Sequence, residues 1–119
     1  MARYRVSRLA QNDLLRILST SEERRGLEAR HRYAATITAA MRKVADNPKG
    51  STTRARPELL TGIRSIHLRH VRVHNVQERV RHAVHVIYYR AIAPDLVEIV
   101  RVLHERMEPR RHIEIEPTD

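Results

Sequence analysis

The sequence predicts an α+β domain, in which an N-terminal strand is followed by an antiparallel helical hairpin packed on a small antiparallel β-sheet. Apolar residues of the first half recur every three or four positions in two stretches, which is the period of a helix. After Gly62 the pattern changes to the alternation of strands, and valine and isoleucine become frequent. Because a helical stripe and a sheet face both need a covering layer, the hairpin is expected to cover one face of the sheet.

The first strand is expected to lead straight into the first helix. The stretch from Tyr4 to Ser7 is short and contains a β-branched residue, which favours a strand. The hydroxyl of Ser7 suits the N-cap of a helix, since it can accept a free backbone N–H of the first turn. The apolar positions of this helix are Ala10, Leu14, Ile17 and Leu18. The residues assigned to its outer face are Gln11, Asn12, Asp13 and Arg16.

A second helix is expected after a polar interruption. The cluster from Ser19 to Glu23 predicts a turn or a new helix start. The next helical pattern runs from Leu27 to Val44 and ends before Pro48, which cannot continue a helix. Its period places Tyr33 and Met41 in the core. A short connection between two helices predicts the antiparallel hairpin.

The second half is expected to form three antiparallel strands after an irregular basic segment. Residues 49–62 are interpreted as a loop, or as a loop with one helical turn. The predicted strands are Ile63–Val73, Val80–Ile92 and Leu96–Leu103. The polar stretch 74–79 is expected to close the first hairpin. Alternation in the middle strand predicts one face with Val86 and Tyr88 and another with His85, Ile87 and Tyr89.

Length and composition favour one domain with an anionic partner. The 119 residues leave little room for two domains, so 1–112 are assigned to one domain and 113–119 to an acidic C-terminal tail. The absence of cysteine excludes a disulfide scaffold and a thiolate zinc site. No apolar run spans a membrane and no signal peptide is recognisable, so a cytoplasmic location is expected. The net charge of +9 favours nucleic acid or an acidic protein segment as partner.

Common catalytic and metal-binding patterns are missing from the sequence. Eight histidines are present, but His67 and His70 have an odd spacing, which places two side chains on opposite faces of a strand. No zinc-ligand spacing, nucleophile elbow or phosphate-binding glycine loop occurs. We therefore expect no metal and no cofactor. Arginine remains as the conspicuous residue type, and it forms bidentate pairs with carboxylates and phosphates.

The strand motifs resemble those of the ParE/RelE superfamily of bacterial toxins, from type II toxin–antitoxin systems. His85–Arg90 is similar to the family's H-x-I-x-Y-R strand, and Ile99–Glu108 is similar to the ParE ending I-x-R-V-L-H-x-R-M-D. Arg111 and His112 match a later R-H-L. Two departures are Glu108, where the family usually has Asp, and the stretch 71–81, which is longer than the usual hairpin.

The resemblance implies a ParE-like toxin that inhibits DNA gyrase by binding it. It implies a ParD-like antitoxin, a hetero-oligomer with that antitoxin, contact with operator DNA only through the antitoxin, and a role in plasmid stabilisation. It implies no catalytic residue. The residues expected to bind antitoxin or target are Arg64, Arg69, His85, Tyr89, Arg90, Arg101, His104, Arg106 and Arg111.

Two alternatives remain at the level of sequence. The first is a RelE-like endoribonuclease that cuts messenger RNA on the ribosome, with Arg101, His104 and Arg106 as its candidate constellation. The structural interpretation of the same residues is that Arg101 pairs across the sheet and His104 ends the strand. The second alternative is a decayed toxin that retains only its antitoxin-binding face.

Overall fold

A computed structural model describes residues 2–73, 80 and 82–113 of the chain. Its helices are α1 (Arg8–Arg25) and α2 (Leu27–Asp46). Its strands are β1 (Arg3–Val6), β2 (Arg54–Ala55), β3 (Arg64–His67), β4 (His85–Ala93) and β5 (Leu96–His104). Short 3₁₀ turns cover Leu68–His70 and Pro109–Arg111. In the described part of the chain, no helix is long and apolar enough to cross a membrane.

The five strands form one mixed sheet in the order β1-β5-β4-β3-β2. Strands β3, β4 and β5 pair antiparallel, as the sequence predicts. Strand β1 lies parallel to β5, an arrangement that the sequence did not indicate. Ser7 joins the start of α1 to β5. Its hydroxyl accepts the Ala10 N–H at 3.1 Å and donates to the Val100 carbonyl at 2.8 Å. The predicted N-cap is therefore confirmed, and it also fastens α1 to β5.

The helical hairpin is confirmed, but its break lies later than predicted. The cluster Ser19–Glu23 belongs to α1, which continues to Arg25. The polar residues end the apolar stripe without ending the helix, because glutamate and arginine are good helix formers. The break occurs at Gly26, whose φ of 91° is accessible mainly to glycine. Its N–H donates to the Glu22 carbonyl at 2.8 Å and so closes the last turn of α1.

One missed strand and two strand boundaries in the second half differ from the prediction. The segment 49–62 contains the two-residue strand β2, which pairs with Arg64 and Ser65. The strand predicted for Ile63–Val73 ends at His67, where the chain enters a 3₁₀ turn. The strand predicted to begin at Val80 begins at His85. The strand bounds were predicted from the alternation of apolar and polar residues. In the structure, a strand ends where its backbone stops pairing with the neighbouring strand. The hairpin expected at 74–79 lies outside the described residues.

Each face of the sheet carries its own apolar cluster. The helix-facing cluster contains Tyr33, Met41, Ile87 and Tyr89, as predicted. The opposite cluster contains Tyr88, with Val86 packed against it, which confirms the predicted alternation of β4.

The opposite face is largely covered by the chain itself. The fully packed members of its cluster are Ile63, Tyr88, Val100 and Leu103, each at most 4% exposed. Leu59 and Ile113 pack against these residues, and the Arg56 guanidinium lies 5.6 Å from the centre of the Tyr88 ring. This part of the sheet face is therefore packed inside the fold.

Candidate binding site

Two of the predicted site residues meet where β4 and β5 lie side by side. His85, the first residue of β4, lies directly opposite His104, the last residue of β5. Their ring centroids are 5.5 Å apart in an edge-to-face arrangement. His104 therefore ends the strand, as predicted. We call Tyr33, His67, His85, His104 and Glu105 the histidine cluster.

Tyr33 of α2 holds His85 from the helix side. The Tyr33 hydroxyl lies 2.5 Å from His85 Nδ1 and accepts the Val84 N–H at 3.3 Å. Burial, followed by the neighbouring His104 and His67, lowers the pKa of His85 to about 4. Burial also raises the pKa of Tyr33 above its usual value of 10.0. Both groups are therefore uncharged at neutral pH.

The opposite side of the cluster contains a histidine–carboxylate hydrogen bond. His67 Nε2 lies 2.7 Å from a carboxylate oxygen of Glu105, and His67 Nδ1 accepts the Arg69 N–H at 3.0 Å. The hydrogen bond from His67 lowers the pKa of Glu105. Because β3 ends at His67, the 3₁₀ turn brings the His70 ring to within 6.5 Å of the His67 ring. The assignment of these two rings to opposite strand faces is therefore wrong.

The histidine cluster does not form a metal site. Within the described parts of the chain, no group of three or more ligating side chains is arranged to hold a metal ion.

Arg101 is bound to a buried carboxylate that the sequence had assigned to solvent. Asp13 of α1 is 2% exposed and lies beneath β5, so its predicted position on the outer helix face is wrong. Its carboxylate accepts from Arg101 Nε and Nη2, both at 2.8 Å, and from the Val102 N–H at 3.0 Å. Arg16 is a fourth donor, at 3.1 Å. Arg101 Nη1 donates to the His112 carbonyl at 2.6 Å, so this pair links α1, β5 and the segment after it.

The ladder between β4 and β5 is irregular next to this contact. Tyr88 lies opposite Arg101 and Tyr89 lies opposite Ile99, so the register skips Val100. Such a bulge changes the direction of the side chains that follow it. The structure pairs Arg101 with Asp13 of α1. The only sequence signal for the contact between Asp13 and Arg101 was the position of Asp13 next to the apolar stripe of α1, and that signal is weak.

Three further predicted residues make contacts inside the fold. Tyr89 is fully buried, and its hydroxyl donates to the Pro48 carbonyl at 2.5 Å. Arg64 donates to the same carbonyl from Nε at 2.9 Å. Both side chains fasten the end of the helical hairpin to the sheet. Arg90 pairs with Glu98, its Nη2 lying 3.0 Å from a carboxylate oxygen.

The last three predicted residues are exposed near the strand ends. Arg69 lies in the turn after β3, Arg106 in the turn after β5, and Arg111 in the second 3₁₀ turn. The Arg106 N–H donates to His104 Nδ1 at 3.1 Å, which orients that ring. The structure thus brings His85 and His104 together and separates them from the internally bonded Arg64, Tyr89, Arg90 and Arg101. The binding roles of all nine residues stay predictions.

Comparison with known proteins agrees with the resemblance seen in the motifs. Residues 4–109 match a family model described as the ParE toxin of the type II toxin–antitoxin system parDE. A protein named Toxin ParE1 from Caulobacter vibrioides is 33% identical over 113 residues, which cover 95% of this chain and 99% of the relative. A Toxin ParE1 from Mycobacterium tuberculosis is 27% identical over 112 residues, covering 94% and 98%. This chain therefore belongs to the ParE family of toxins from type II toxin–antitoxin systems.

Proposed function

We propose that this toxin acts by binding DNA gyrase and that a ParD-like antitoxin neutralises it. As a ParE-family toxin of a type II system, the protein has an antitoxin partner. The finer assignment, gyrase as the target, rests most on one observation. Arg101, the central residue of the candidate nuclease constellation, is bound within the fold by Asp13 and the His112 carbonyl.

The remaining members of that constellation do not form a proton-transfer pair. His104 Nδ1 accepts a backbone N–H, and Arg106 is exposed in the following turn. The nearest imidazole, His85, has a pKa of about 4, far from the neutral value that suits a general base. A toxin that acts by binding needs none of these proton transfers, and this favours the gyrase proposal over ribosome-dependent RNA cleavage.

The cellular setting follows from the same proposal. The toxin is expected in the cytoplasm, in a hetero-oligomer with the antitoxin. Contact with operator DNA is expected only through the antitoxin, and the pair would serve plasmid stabilisation.

The proposal is tested with toxin freed from its antitoxin. Purified toxin is expected to inhibit DNA supercoiling by gyrase and to accumulate cleaved DNA–gyrase complexes. Messenger RNA on translating ribosomes is expected to stay intact in a parallel reaction. Codon-specific RNA cleavage without any effect on gyrase would refute the proposal, and antitoxin binding with neither activity would indicate a decayed toxin.

Two alanine variants separate binding from catalysis. His104→Ala and Arg106→Ala are each expected to reduce gyrase inhibition by only a few-fold, since interface contacts away from hot spots contribute little. A catalytic group contributes about 10²–10⁴-fold. Arg8→Ala is the matched control, because Arg8 is exposed and lies outside the predicted set. Cleavage of messenger RNA by the parent toxin that falls a hundredfold or more in one of the two variants would contradict the binding mechanism.

A further inference from the structure

A groove between α2 and the 3₁₀ turn after β3 lies apart from the histidine cluster and from the ion pair at Asp13. Its volume is about 1040 Å³. One wall is the stretch of α2 from Ala34 to Asp46, which is about 18 Å of helix at 1.5 Å per residue. The other wall is formed by residues 70–73. The groove is therefore long enough to hold part of a polymer.

Positive charge dominates this groove. Arg42 and Lys43 line it from α2, Arg72 lines it from the opposite wall, and all three are exposed. Asp46 is the acidic residue of the lining, which therefore has a net charge of +2 when His70 is neutral. Neither Arg42 nor Arg72 forms an ion pair within the described part of the chain. Both guanidinium groups are thus available to an anion.

Lys43 connects the two walls. Its Nζ donates to the His70 carbonyl at 3.2 Å. A carbonyl carries no net charge, and the ammonium group has three donors, so this contact links the walls without neutralising Lys43. An adjoining depression is lined by Arg69 as well as Arg72, which extends the positive surface around the turn.

The α2 wall otherwise consists of small side chains. Ala34, Ala35, Thr38 and Ala39 line it, so a polymer backbone can approach the helix closely. None of the exposed large apolar side chains of the described chain, such as Leu15, lies in this groove. Protein partners gain most of their affinity from a few large side chains seated in pockets. The lining therefore suits a charged backbone better than a peptide.

Thr52 adds a hydroxyl without a partner. Thr52 lines the groove, and its buried side-chain oxygen makes no hydrogen bond to any described residue. Leaving such a group unsatisfied costs free energy. Threonine hydroxyls donate to phosphate oxygens in DNA complexes, alongside arginine and lysine. A phosphate in the groove would satisfy this hydroxyl after a change of rotamer.

The lining favours duplex DNA over a single strand. Proteins hold single strands by stacking the bases on aromatic side chains, and no tyrosine of the described chain lines this groove. Each strand of a duplex presents one phosphate per about 3.4 Å of helix axis. The α2 wall would therefore face about five phosphates of one strand.

We propose that this groove binds the phosphate backbone of duplex DNA, and that the duplex is the one held by gyrase in the inhibited complex. Phosphate contacts carry no sequence information, so recognition of the operator stays with the antitoxin. The gyrase half of the inference rests on the proposed function, whereas DNA binding by the free toxin does not.

Two exposed arginines provide a matched pair of variants. Arg42 lines the groove, whereas Arg8 lies at the start of α1 and does not. Arg42→Gln and Arg8→Gln change the net charge equally. The Kd of antitoxin-free toxin for a labelled duplex without the operator is measured by fluorescence anisotropy over a series of salt concentrations. We expect Arg42→Gln to weaken binding about fivefold at low salt, and Arg8→Gln by less than twofold. Only Arg42→Gln is expected to reduce the slope of log K against log salt, by about 0.9.

A substitution on the small-residue wall tests the location independently. Ala39 is half-buried, and both glutamate and glutamine are good helix formers. Ala39→Glu places a carboxylate where the phosphates are expected, so DNA binding is expected to weaken tenfold or more. Ala39→Gln has the same size without the charge and is expected to lose less than threefold. Equal melting temperatures of the two variants would show that the difference is electrostatic.

The gyrase half is tested by measuring toxin binding to gyrase with and without DNA. Arg42→Gln combined with Arg72→Gln is expected to weaken binding to the gyrase–DNA complex about tenfold. Binding of the same double variant to DNA-free gyrase is expected to match the parent toxin.

Three outcomes would overturn the proposal. Equal losses of DNA affinity for Arg42→Gln and Arg8→Gln would show that only the overall charge matters. Unchanged DNA affinity in both Arg42→Gln and Ala39→Glu would exclude DNA from the groove, and weaker antitoxin binding in these variants would assign it to an acidic peptide. Equal losses on gyrase with and without DNA would place the groove against the gyrase protein. If the parent toxin fails to bind gyrase, the proposed function fails, and the anisotropy series still decides whether the groove binds DNA.

Discussion

Removal of the buried Asp13 carboxylate tests the central ion pair of the fold. Its side chain is 3% exposed and accepts hydrogen bonds from Arg101, Arg16 and the Val102 N–H. Removing one partner of a buried charged pair costs about 3–5 kcal/mol, since the other charge loses the group that offsets it. Asp13→Ala is therefore expected to lower the free energy of unfolding by that amount. Typical total stabilities are about 5–15 kcal/mol, so this variant would be close to the limit of folding.

Urea unfolding followed by circular dichroism measures this loss. Urea is uncharged and does not screen the ion pair, and an unchanged slope with urea would show that a comparable surface unfolds. Glu22→Ala is the control, because Glu22 is 45% exposed and lies 3.7 Å from Arg30. An exposed pair of this kind contributes about 0–1 kcal/mol.

A double-mutant cycle assigns the loss to the pair itself. Arg101→Met removes the guanidinium while keeping an extended apolar side chain. The double variant Asp13→Ala with Arg101→Met is expected to lose at least about 2 kcal/mol less than the sum of the single variants. The reasoning is refuted if Asp13→Ala costs under about 1 kcal/mol, or if the two losses simply add.

Three further predictions concern other contacts of the fold. The pKa of His85 is about 4 in the fold and about 6.5 in the unfolded chain. The neutral imidazole therefore contributes fully to the free energy of unfolding above pH 6.5, and that contribution is lost as the pH falls towards 4. Allowing for its partial exposure, we expect a loss of about 1–2 kcal/mol over that range, measured as the difference in urea stability between the parent and His85→Asn; parallel pH profiles would contradict it. Tyr89→Phe removes the hydrogen bond to Pro48 and is expected to cost about 1–2 kcal/mol by thermal unfolding, with an unchanged melting temperature as the opposing result. The Cβ of Gly26→Ala would meet no atom within 4 Å, but the alanine must adopt a φ of 91°. We therefore expect the free energy of unfolding to fall by about 1 kcal/mol from backbone strain alone. A stabilised variant would contradict this strain.

The candidate site could be predicted only in part. His85 and His104 were selected from motifs that resemble a known family, and the structure places them side by side. Tyr33 and Glu105 were not selected for the site, because Tyr33 falls on the predicted core stripe of its helix and Glu105 follows the last predicted strand. Their contacts with His85 and His67 depend on how α2 and the end of β5 pack against β4 and β3, and no local pattern encodes that packing.

The sequence by itself determined both helices, the antiparallel strands of the second half and the two faces of β4. These features follow from local periodicity, since a buried stripe repeats every 3.6 residues and a buried strand face every two. Only the tertiary structure decided that β1 lies parallel to β5 and that Asp13 is buried against Arg101. The physical reason is that partners 88 residues apart are brought together by the packing of α1 against β5, and this packing leaves no periodic trace in the sequence.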